Sequence, residues 1–75
     1  MAYKVVFEYQ TEGGAMSDVY NCRDEQRARE KFAELREDLL FALNPDGCEV
    51  VDEPSLYSLT NREKGLFGYV RVIGG

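Results

Sequence analysis

Between Tyr3 and Gln10 the chain alternates strictly. Tyr3, Val5, Phe7 and Tyr9 fall on one side of an extended segment, and Lys4, Val6, Glu8 and Gln10 fall on the other. A period of two is that of a strand with one buried face. The glycines of Thr11-Glu12-Gly13-Gly14 can take the positive φ of a tight reversal, and Ala15 to Cys22 returns as a second strand with weaker alternation. The period then changes. Ala28, Phe32, Leu35, Leu39, Ala42 and Leu43 recur at helical spacing and form one stripe. Asp24 is a suitable N-cap ahead of it, Glu25 suits the first turn, and Asn44-Pro45-Asp46-Gly47 cannot readily continue the helix. The pattern therefore predicts a helix from Asp24 to Leu43.

Beyond the helix, Cys48 to Val51 begins a third strand that Pro54 interrupts. Leu56 to Thr60 either resumes it or forms a separate short strand. Asn61 to Gly65 reads as a hairpin loop with Gly65 in the left-handed conformation, and Leu66 to Ile73 as the last strand. About twenty helical residues and nine strand residues both span roughly 30 Å, so the helix can lie along a sheet. The expected fold is α+β, a single domain over residues 1–75 in the order ββαββ(β). One helix packs on a mostly antiparallel sheet of four to five strands. Val5, Phe7, Phe32, Leu35, Leu39, Leu59, Val70 and Val72 are its expected core.

Composition narrows the function. With 44% hydrophobic residues, four Phe and five Tyr, the 75-residue chain has enough apolar material to fold. No run approaches the length of a membrane span, and the first ten residues show no signal-peptide pattern, so a cytoplasmic protein is expected. Cys22 and Cys48 are expected as two reduced, partly buried thiols, with their pairing left open. The chain has no His. That removes Ser-His and Cys-His nucleophiles and leaves too few ligands for zinc. The acidic loop from Pro45 to Glu53 fits no calcium-loop spacing. We therefore expect no catalytic residues, no metal and no cofactor.

Charge is unevenly spread. Asp24 to Glu53 contains ten acids and four bases, a balance of −6, whereas the remainder is +1. An acidic half repels phosphate and suits a partner with a basic surface, not nucleic acid itself. On the helix, Glu30, Glu34, Glu37, Asp38 and Phe41 fall opposite Leu35 and Leu39. Glu30 with Glu34, and Glu34 with Asp38, are like-charge i,i+4 pairs, and acids late in a helix oppose its dipole. Two accounts fit this ridge. It is a solvated face with Phe41 tucked under the following loop, or it is a protein-binding surface with an aromatic anchor.

Two family resemblances bear on function. The terminal Gly74-Gly75, after the last strand of a small ββα-containing domain, resembles ubiquitin-like proteins and the related bacterial sulfur carriers. That resemblance implies a tail that is adenylated and joined to sulfur or an amine, with Gly75 as the reactive carboxyl. Small size, acidity and ββαββ-like order are similar to phage-encoded inhibitors of the anti-CRISPR type. This second resemblance implies a non-catalytic inhibitor on the basic surface of a nucleic-acid-handling protein. The chain itself is expected as a monomer or homodimer.

Overall fold

The structure, a computed structural model, describes residues 2–74. Strand β1 (Tyr3–Thr11) turns directly into β2 (Gly14–Cys22). Helix α1 (Glu25–Ala42) follows, and then β3 (Glu49–Glu53), β4 (Leu56–Asn61) and β5 (Leu66–Gly74) form a meander. All pairings are antiparallel, and the single sheet has the order β2-β1-β5-β4-β3. The expected α+β architecture is present. Leu56 to Asn61 is a separate strand, because Pro54, with no N–H to donate, opens the turn between β3 and β4.

Local chemistry explains the punctuation. Asp24 is extended, and its carboxylate accepts the Arg27 N–H at 2.8 Å, which satisfies one of the orphan donors of the first helical turn. At the other end the Leu43 N–H donates to the Leu39 carbonyl at 2.8 Å, and Gly47 takes φ +83° to redirect the chain into β3. Gly65 has φ +69°, the left-handed conformation expected of it.

The core lies between α1 and one face of the sheet. Val5, Phe7, Ala28, Phe32, Leu35, Leu39, Leu43, Tyr57, Leu59 and Val70 are buried. Val72, expected in this set, is only half-buried against it. Ala42, expected on the helix stripe, is exposed at the last turn. The helix lies over β1 and β5, with β2 at its flank. It does not reach β3, so every residue of that strand is exposed.

The two layers approach closely at Gly68 on β5. A Cβ at that position would lie 2.3 Å from Leu39 Cδ1 and 3.0 Å from Tyr9 Cβ. Leu39 is fully buried in a close-packed core, so moving its side chain would disturb the neighbours around it. Hydrogen at position 68 is what allows the helix to seat at this depth.

Cys22 and Cys48 are both free and half-buried. Cys22 ends one edge strand and Cys48 precedes the other. Four strand spacings amount to about 19 Å, well beyond disulfide reach. Cys48 Sγ lies 3.3 Å from the Asn44 carbonyl as a thiol donor.

Leu35 is 3% exposed at the centre of the buried stripe. Leu35→Ala is expected to lower unfolding free energy by about 2–5 kcal/mol, measured by chemical denaturation. Unchanged stability would contradict the packing described.

Candidate protein-interaction surface

The outward face of α1 is acidic in part because three of its four bases, Arg29, Lys31 and Arg36, turn toward the sheet, while Arg27 stays exposed. On one flank, Arg29 donates to the Pro54 carbonyl in the β3–β4 turn and lies 3.7 Å from Glu25. Arg36, on the same side, places its guanidinium 5.0 Å from the Tyr57 ring centroid. On the opposite flank, Lys31 stands 4.7 Å from the Tyr20 ring centroid and donates to Glu34 at 3.2 Å. That hydrogen bond is the main reason the Lys31 ammonium titrates above its usual range. The Tyr20 hydroxyl is likewise raised, first by desolvation and then by the neighbouring Asp18 carboxylate.

With those bases turned aside, Glu30, Glu34, Glu37 and Asp38 are all exposed. Glu34 shares its charge with Lys31, whereas Glu30, Glu37 and Asp38 have no ion-pair partner among the described residues. Phe41 is 97% exposed. Nothing folds over it, so the expectation that it is tucked under the following loop is corrected. Asn44 to Gly47 turns away toward β3, and Leu43 alone packs inward.

The ridge is also less uniform than helical counting implies. Asp38 and Phe41 lie on the flank nearest β2. There they border a shallow groove of about 370 Å³ whose floor includes Phe7, Tyr9, Met16 and Tyr20. Glu30 and Glu34 border a second hollow nearer the start of the helix, with Arg23, Arg27 and Lys31 around it. The structure thus joins Asp38 and Phe41 to an apolar groove and sets Glu30 and Glu34 in a mixed-charge neighbourhood. Met16 and Tyr20 were not singled out in the sequence. Their spacing, i and i+4 on a strand, was the available signal, because it puts both on the helix side of β2.

Gly74 belongs to β5 and pairs with Tyr3, and a Cβ there would lie 2.2 Å from Tyr3 Cδ2. Gly75 lies outside the described residues. Among the described residues, no group of three or more Cys, Asp and Glu side chains could hold a metal ion. No helix of the described chain is long and apolar enough to cross a membrane.

No family model, curated protein or solved structure matches the chain.

Because Phe41 touches almost nothing in the folded chain, Phe41→Ala is expected to change unfolding free energy by no more than about 0.5 kcal/mol. A clear loss in thermal denaturation would mean that Phe41 packs within the domain.

Proposed function

We propose that the protein is a non-catalytic binding module whose outer helix face engages the basic surface of a protein partner. The full exposure of Phe41 beside unpaired carboxylates carries this reading. An aromatic ring left in water loses the stabilisation that burial would give, of the order of 2 kcal/mol, and a solvated helix face has no use for it. Set in a partner's pocket, the ring anchors, while Glu30, Glu37 and Asp38 meet Lys or Arg around it. Glu34 and Lys31 form the edge of the contact.

The finer proposal is an inhibitor of a nucleic-acid-handling protein, of the small acidic phage-encoded kind and acting in the cytoplasm. Its carboxylates would occupy cationic positions that otherwise hold phosphates. The acidic half of the chain, at −6, supports it. A diglycine carrier requires a tail free to enter an activating enzyme, and the pairing of Gly74 with Tyr3 favours the binding module instead.

The test is capture of partners on immobilised protein at low and high salt. It compares the wild type with a Glu30, Glu34, Glu37 and Asp38 charge-reversed variant and with Phe41→Ala. Wild-type capture should fall as salt rises, since screening shortens the reach of exposed charges. Both variants should lose the same partner while remaining folded. A partner held equally by all three proteins at both salts would exclude this face.

A further inference from the structure

The helix covers one face of the sheet only. On the other face, Val6, Val19, Val51, Leu56, Tyr69 and Ile73 share an uncovered surface. Val19, Val51 and Ile73 are 49%, 39% and 48% exposed, and with Phe41 and Val50 they make up the large exposed apolar side chains among the described residues. Five strands about 4.8 Å apart and up to about 30 Å long give this face roughly 600 Å². Charged and polar side chains, Lys4, Glu8 and Arg71 among them, share this area, so the apolar part is smaller and within the range found on monomers.

We propose that a second copy of this chain packs on this open face about a two-fold axis. Two such faces would bury about 1,200 Å² together, the lower end of what a specific dimer needs. Charge also permits a copy here. The open face carries Lys4 and Arg71 against Glu8, Glu49 and Glu53, close to balance, whereas the helix face would repel its own copy.

The register supplies the axis. Glu8 stands opposite Tyr69 and Val6 opposite Arg71 on neighbouring strands, so these side chains form a quartet with Glu8 and Arg71 at diagonal corners. Neither Glu8 nor Arg71 makes an ion pair among the described residues. A two-fold axis through the middle of the quartet brings Arg71 of each subunit onto Glu8 of the partner subunit. Val6 and Tyr69 then pack near the axis. The contact is self-complementary, as an isologous interface must be. It leaves α1 of both subunits outward, so it neither requires nor precludes the binding role proposed above.

The experiment is sedimentation equilibrium of the full chain, with far-ultraviolet circular dichroism and thermal unfolding confirming that each variant is folded. The wild type should be a dimer. E8R and R71E should each weaken association by about tenfold or more, because like charges then meet at both pairs. The combined E8R/R71E variant restores opposite charges and should recover the dimer. Gln26→Ala, on the exposed side of α1, should leave association unchanged. A monomeric wild type at millimolar concentration would overturn the proposal. So would a dimer indifferent to E8R and R71E, or one that E8R/R71E fails to restore.

Discussion

Leu39 over Gly68 is the contact on which the rest of the molecule is arranged. A domain of this size has one helix with which to cover a sheet, and it has to bring the two layers close enough to exclude water. The absent side chain at Gly68 lets the middle of α1 sit down on β5, where the fully buried Leu39 fills the gap. Once Leu39 is seated, helical geometry sets what the other positions face. Phe32, Leu35 and Leu43 turn to the sheet, Arg36 and Lys31 fall to the flanks, and Phe41 turns to water.

The acidic face is a consequence of that orientation. Bases on the flanks can lay their long stems against the sheet and rest their cations on Tyr20 and Tyr57, which is favourable for Lys and Arg and impossible for Glu. The acids, too short to reach any comparable partner, stay outside. The helix therefore sorts its charges radially, and the outer surface is more negative than the sequence of α1 alone implies. The like-charge pairs along the ridge oppose helix formation only weakly, so packing underneath overrides them. Phe41 stands exposed beside these acids, on the flank nearest β2.

Much of the fold was legible in the chain because it is written in local signals. The helix stripe, the Asp24 cap, the Asn44–Gly47 stop and the Gly65 turn each act over a few residues, and each appears as expected apart from the exposed Ala42 at the end of the stripe. Other features depend on partners remote in sequence. That β5 inserts beside β1, making the first and last strands central neighbours, follows from no local pattern. The role of Gly68 was hidden for the same reason, since a glycine within a strand equally suits a bulge. The five ridge residues were legible as an outward face, but the division of four of them between an apolar groove and a mixed-charge hollow depends on β2 lying alongside. The open sheet face did leave a trace. Val6 interrupts the polar side of β1, and in β5 Phe67, Tyr69 and Ile73 alternate with Leu66, Val70 and Val72, so both faces of that strand are apolar.

The seating of the helix is tested most directly by a double-mutant cycle on its central contact. Gly68→Ala, Leu39→Ala and the double variant would each be measured by chemical denaturation. Alone, the added methyl at position 68 should cost about 1–3 kcal/mol through overpacking. In the Leu39→Ala background, where a cavity awaits it, that cost should shrink or reverse, giving a coupling energy of about 1 kcal/mol or more. Strict additivity of the two substitutions would contradict the account, since it would mean that the helix does not rest on Gly68.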